Sequence, residues 1–205
     1  VNSRPVLLSD LGNVLIKVNR DHALELLERR LEVQREQLLP FFEDVHPLHR
    51  QLEVGAVHPS EFLRKMAEGI GKSDPIELDE IRTIYGTSFS RMEKTIQAID
   101  GFRPGIRVIV LSNTNAIDIP YIEEQFGLIS WADDAILSYQ VGMRKPNPEI
   151  FKYAIDTYDL APERMLFIDD KSENINAARQ VGLRAEIYQS AAQLRELLKE
   201  LTQIE

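Results

Sequence analysis

The sequence predicts an α/β fold: a doubly wound parallel sheet with a small α-helical cap inserted after its first strand. Short apolar runs that each end in a polar residue alternate with helical patterns through most of the chain. Residues 19–85 break that alternation and carry helical periodicity alone.

The elements follow in order. Val6-Leu7-Leu8-Ser9-Asp10 is an apolar run closed by a carboxylate and reads as the first buried strand. In residues 19–85, Leu24, Leu27 and Leu31 form one helical stripe and Phe62, Met66 and Ile70 another, with breakers at Pro40, Pro47, Pro59 and Pro75 and no credible strand. A helix is expected over 90–100, then a strand over Arg107-Val108-Ile109-Val110-Leu111-Ser112 and a helix over 117–126. Asp134-Ala135-Ile136-Leu137-Ser138 is a weaker strand. The next helix, 147–157, is entered through Asn147-Pro148, a capping residue followed by Pro at the first turn. Met165-Leu166-Phe167-Ile168-Asp169-Asp170 is the third strong strand, followed by a helix over 172–181, a weak strand Arg184-Ala185-Glu186-Ile187-Tyr188 and a helix over 190–203. The last helix carries Leu194, Leu197, Leu198 and Leu201 and is expected to cover the sheet. Residues 1–18 and 86–205 thus form a Rossmann-like core and 19–85 a cap lying over the C-terminal strand ends, where open α/β sheets bind ligands.

Composition narrows the function classes. The 205 residues are 43% hydrophobic and 28% charged, the balance of a packed globule. With 24 Lys+Arg against 33 Asp+Glu, the formal charge of −9 repels polyphosphate backbones, so nucleic acid is not an expected partner. The absence of Cys removes disulfide frameworks, thiolate nucleophiles and thiolate-bound metals, and reads as cytoplasmic. No apolar run approaches the roughly 20 residues of a membrane-spanning helix, and residues 1–5 lack the apolar stretch of a signal peptide. Oligomeric state is not legible.

Strand-terminal polar residues of such a sheet converge on one crevice. Four segments qualify: Asp10-Leu11-Gly12-Asn13-Val14, Ser112-Asn113-Thr114-Asn115, Gly142-Met143-Arg144-Lys145-Pro146 and Asp169-Asp170. Three carboxylates brought together repel one another unless a cation compensates, and a hard divalent ion with oxygen ligands, Mg²⁺ first, is the simplest answer. Such an ion leaves one oxygen of Asp10 free to attack a phosphorus. Lys145 then serves as a point charge for phosphate oxygens, while the Ser112 hydroxyl and nearby backbone N–H groups, those of Leu11 and Asn113, bind the rest. Each of these residues also has a plainer reading. Asp10 can bond its own turn, Ser112 and the Asp169-Asp170 pair can cap helices, and Lys145 can be a solvated surface lysine.

The four segments, in this order and spacing, resemble the four motifs of the haloacid dehalogenase superfamily, and the match covers essentially the whole chain. The helical insert resembles that superfamily's small cap. Glu53-Val-Gly55-Ala-Val57 with Glu61-Phe62 resembles the cap signature of a bacterial branch of sugar-phosphate phosphatases similar to the α-glucose-1-phosphate phosphatase. The resemblance implies that Asp10 is a nucleophile forming an aspartyl-phosphate, that Ser112 and Lys145 hold phosphate, and that Asp170 is the principal magnesium carboxylate. It further implies Asp169 as ligand or outer partner and the Gly12 carbonyl as a metal ligand. The substrate it implies is a small phosphorylated metabolite, most simply a sugar phosphate.

One departure stands out. The superfamily's phosphatases usually carry a second aspartate two residues after the nucleophile, as general acid and base, and this sequence has Gly12 there. Such help is worth about 10²–10⁴-fold. Substitutes are sought in the cap, among His46, His49, Arg50, Glu53 and His58. Three rivals remain: a dehalogenase, against which the Asp169-Asp170 pair speaks; a phosphomutase, which needs the missing acid-base group; and a phosphate-binding module without turnover. The histidines show no convincing metal spacing, Trp131 and Phe41-Phe42 read as packing, Lys171 as surface, and Arg144 as the partner of a carboxylate in its own loop.

Overall fold

The structure, a computed structural model, describes residues 4–43, 46–159 and 161–203. Among the described residues there are seven strands: β1 (Val6–Ser9), β2 (Ile16–Val18), β3 (Phe89–Arg91), β4 (Arg107–Ser112), β5 (Asp134–Leu137), β6 (Met165–Asp169) and β7 (Arg184–Ile187). All five strands expected from the sequence are among them. β5, β4, β1, β6 and β7 form one parallel sheet in that order, with Val6 of β1 in register with Arg107 on one side and Met165 on the other.

The strands read as unbroken apolar runs because both faces are buried. Leu7, Val108, Val110, Leu166 and Ile168 pack against Ile96, Ile99, Ile119, Ile122, Leu194 and Leu198 on one face. Val6, Leu8, Ile109, Leu111 and Phe167 pack against Ile150, Phe151, Ile175 and Ala178 on the other. The chain runs from β1 outward through β4 to β5, then returns to β6 on the far side of β1. That reversal places the switch point of the sheet at β1, so the C-terminal ends of β4, β1 and β6 face one crevice.

The inserted helices build an apolar cluster of their own. Leu24, Leu27 and Leu31 of the helix Asp21–Leu31 meet Leu52, Phe62, Met66, Ile81 and Tyr85, and Ile117 joins them from the sheet side. Pro47 and Pro59 each occupy the first turn of a helix, Pro47–Glu53 and Pro59–Gly69, where a missing N–H costs nothing. His46 and His58 cap these two helices, their Nδ1 atoms accepting from the backbone N–H of Leu48 (3.2 Å) and Ser60 (3.4 Å).

Two elements differ from expectation. β2 and β3 form an antiparallel ribbon through which the chain enters and leaves the helices, and β3 delays the following helix to Glu93–Asp100. Strands of three residues are too short to show a period, and they pair with partners some seventy positions away.

Candidate active site

Asp10 follows β1 directly. Its backbone N–H donates to the Ile168 carbonyl at 2.9 Å, and Oδ1 accepts from the Leu11 N–H at 2.7 Å, so the carboxylate is held by its own turn. The Leu11 N–H proposed from sequence for phosphate is therefore engaged with Asp10. Lys145, only 1% exposed, enters from the loop before the helix Pro148–Tyr158. Its Nζ lies 2.8 Å from Asp10 Oδ1, 2.6 Å from Asp169 Oδ2 and 2.8 Å from the Leu111 carbonyl. A solvated surface position is excluded.

Lys145 is held in place by Asn113. The Asn113 side chain accepts from the Lys145 N–H and donates to the Lys145 carbonyl, both at 2.8 Å. This commits the Asn113 side-chain amide to the loop. Ser112 ends β4 and is buried; its Oγ makes only a long 3.4 Å bond to the Asn113 carbonyl.

Asp169, at the end of β6, is fully buried and saturated: besides Lys145 it accepts from Asn174 Nδ2 at 2.9 Å on each oxygen and from the Lys171 N–H at 2.8 Å. Asp170 is more open and accepts from Asn13 Nδ2 at 2.9 Å. One oxygen from each of Asp10, Asp169 and Asp170 can be chosen so that all lie within 4.8 Å of one another. Three carboxylates against one ammonium leave a deficit of positive charge. Burial pushes the Asp10 carboxyl up to about 6, with Lys145 opposing the rise and Asp169 adding to it. Burial alone would lower the Lys145 ammonium, but Asp10 and Asp169 outweigh it and hold it above the usual lysine range.

Gly12 has an ordinary backbone, and a Cβ there would meet only the Val18 side chain, at 3.7 Å. No steric rule therefore explains the missing carboxylate. Arg144 does not pair within its own loop as expected; its Nε donates to Glu53 Oε2 at 2.9 Å, tying the sheet's loop to the inserted helix Pro47–Glu53. Long-range pairing of this kind leaves no trace in local sequence.

These groups line a cavity of about 310 Å³ between sheet and inserted helices. Of the substitutes sought among the inserted helices, His49 and Glu53 line it; His46 and His58 do not, and each spends its Nδ1 on capping a helix. Three charged lining residues were not anticipated, Arg20, Glu43 and Asp118. Arg20 Nε donates to the Tyr85 hydroxyl. Asp118 opens the helix Asp118–Phe126 and accepts from Asn115 Nδ2 at 2.9 Å. Burial pushes its carboxyl up to about 6 against the pull of His49 and the Asn115 hydrogen bond. The signal available in sequence was its place a few residues beyond a strand-terminal hydroxyl.

A family model of haloacid dehalogenase-like hydrolases matches residues 6–182, a stretch that holds all four strand-end segments. The chain belongs to the haloacid dehalogenase-like hydrolase family. Among relatives of this family, a D-ribitol-5-phosphate phosphatase of Bacteroides thetaiotaomicron is 27% identical over 180 residues, covering 84% of this chain and 86% of that protein. A haloacid dehalogenase family enzyme of the same organism, crystallised with magnesium and inorganic phosphate, superposes with a TM-score of 0.79 at 25% identity over 91% of this chain and 95% of its own. A haloacid dehalogenase-like hydrolase of Porphyromonas gingivalis gives a TM-score of 0.79 at 27% identity, over 98% of this chain and 99% of its own. Both structural likenesses run through core and inserted helices alike, in agreement with the doubly wound architecture read from sequence.

Proposed function

We propose that this hydrolase is a magnesium-dependent phosphatase acting on a small phosphomonoester, with a sugar or polyol phosphate the favoured substrate, through an aspartyl-phosphate on Asp10. The observation that carries the reading is the buried Lys145 bridging Asp10 and Asp169 at the base of a cavity roomy enough for a metabolite. Support for the substrate class comes from the ribitol phosphate phosphatase relative. In this reading residues 1–18 and 86–205 are the catalytic core and 19–85 the cap.

The donor set fits a magnesium ion: hard oxygens, excess negative charge and an open Asp170 beside Asp10. Asp10, Asp170 and the Gly12 carbonyl would hold it, with Asp169 as an outer partner because its oxygens are taken by Lys145, Asn174 and the Lys171 N–H. The ion supplies charge neutralisation, which lets a phosphate dianion approach a carboxylate. Lys145 and the Leu11 N–H fix Asp10, whose free oxygen attacks phosphorus as the ester oxygen leaves. Ser112 Oγ, the Asn113 N–H and Lys145 receive the phosphate oxygens, and water then hydrolyses the aspartyl-phosphate.

Phosphate release is the test, from sugar and polyol phosphates, nucleotides and an activated aryl phosphate, with magnesium or chelator, for wild type and Asp10→Asn. Magnesium-dependent release that disappears in Asp10→Asn is the expected result. Tight binding of phosphate esters with no release from any of them, the aryl phosphate included, would make the protein a binding module instead.

A further inference from the structure

We propose that Asp118 is the proton donor to the departing ester oxygen and the base for the incoming water, in place of the carboxyl that Gly12 does not supply. The proposal rests on the phosphatase reading. Beyond the phosphate end, the ionisable groups lining the cavity are Arg20, Glu43, His49, Glu53, Asp118 and Arg144. The arginines keep their protons near neutral pH. Glu43 is exposed to solvent, and Glu53 is engaged by Arg144 in an ion pair at 2.9 Å. His49 and Asp118 remain.

Asp118 is the better placed of the two. It stands on the core, six residues beyond Ser112, at the start of the helix that follows the strand-end loop. Asn115 fixes that loop: its Oδ1 accepts from the N–H of Ile117 (2.8 Å) and of Asp118 (3.1 Å), which turns its Nδ2 toward Asp118 Oδ2. A carboxyl raised to about 6 is protonated in part near neutrality, the condition for an effective acid and base. The charges facing it come from three other segments: His49 and Glu53 on the helix Pro47–Glu53, Arg20 before the helix Asp21–Leu31, and Tyr85, whose hydroxyl titration Asp118 itself influences. His49 is the positioning partner. Its Nε2 lies 3.4 Å from Glu53 Oε1, and its buried Nδ1 has no hydrogen-bond partner among the described residues.

In the first step the bond from Asp10 to phosphorus forms, the ester P–O bond breaks, and the Asp118 proton passes to the leaving oxygen, releasing an alcohol. In the second, water attacks phosphorus, its proton passes to Asp118, and the bond to Asp10 breaks. Phosphate leaves, and both carboxyl groups return to their starting states.

The experiment compares kcat/KM, which reports the first step, for an alkyl phosphate such as ribitol 5-phosphate and for 4-nitrophenyl phosphate, whose leaving group departs as a stable anion. Asp118→Asn is expected to lose about 10²–10⁴-fold on the alkyl ester and at most about 10-fold on the aryl ester. The alkyl pH profile of wild type should fall as Asp118 deprotonates, and that alkaline limb should vanish in the variant. His49→Gln removes a group that lowers the Asp118 carboxyl, so it should move the limb to higher pH. Melting temperatures of both variants establish that they fold. Equal losses on the two esters, or an alkyl profile whose alkaline limb survives in Asp118→Asn, overturn the assignment while leaving the phosphatase reading intact. A wild type that hydrolyses neither ester overturns both.

Discussion

Lys145 organises the site through three contacts of one ammonium: two carboxylates and the Leu111 carbonyl. Its burial is stabilising only while the partners are charged, because an isolated ion in such a place is penalised by several kcal/mol. Lys145→Met therefore leaves Asp10 and Asp169 facing each other without a cation. We expect it to lower stability by about 3–5 kcal/mol in metal-free buffer, read by denaturant unfolding, and to abolish turnover. A variant as stable as wild type would show that the two carboxylates share a proton instead. Saturation of Asp169 by Lys145, Asn174 and the Lys171 N–H similarly separates two adjacent aspartates into different roles, the buried one orienting Lys145 and the open one free for a metal. The family resemblance already ranked Asp170 first as a metal carboxylate and left Asp169 open between ligand and outer partner.

Among the elements, the turn after the helix Pro47–Glu53 governs how the inserted helices seat on the core. Gly55 has φ +68°, and a Cβ there would lie 2.3 Å from the Tyr139 carbonyl oxygen. No rotamer relieves a clash with backbone, so Gly55→Ala must move the helix or the loop. The left-handed conformation adds about 1–2 kcal/mol of its own. The expected outcome is a lower melting temperature together with a raised KM, since the same helix carries Glu53 and His49 into the cavity. Wild-type kinetics in that variant would show the seating to be irrelevant to the site. The main helices and the five sheet strands were legible because apolar periodicity encodes them locally. The β2–β3 ribbon and the histidine caps were not, since a three-residue strand is defined by its partner and an imidazole cap by the turn geometry it meets.

Among the described residues, apolar clusters cover both faces of the sheet and a third fills the inserted helices, with a charged cavity between sheet and insert, which are joined by the ribbon and by the Arg144–Glu53 ion pair. The strand-end cluster of Asp10, Asp169 and Asp170 around Lys145 holds more negative than positive charge, so a divalent cation should bind the folded state and not the unfolded chain. Magnesium at about 100 times its Kd would then add about 2.7 kcal/mol of stability. Thermal unfolding with magnesium and with chelator measures the effect, and Asp170→Asn should remove most of it. An equal shift in that variant would move the cation site elsewhere on the protein.

By itself the sequence determined the layer architecture, the place of the insert and the identities of Asp10, Ser112, Lys145 and Asp170 as strand-end or loop groups. Burial on both faces of a parallel sheet writes itself as continuous apolar runs, and the residue that ends each run is fixed by where the run stops. Only the tertiary structure decided which charges meet. Asp118 owes its raised carboxyl to burial between sheet and insert, opposed by His49 and Arg20 and reinforced by Glu53, all three contributed by the insert. Arg144 likewise finds Glu53 across 91 positions of chain. Electrostatics act through space and depend on the water excluded when sheet and insert close on one another, and neither quantity is carried by the order of residues alone.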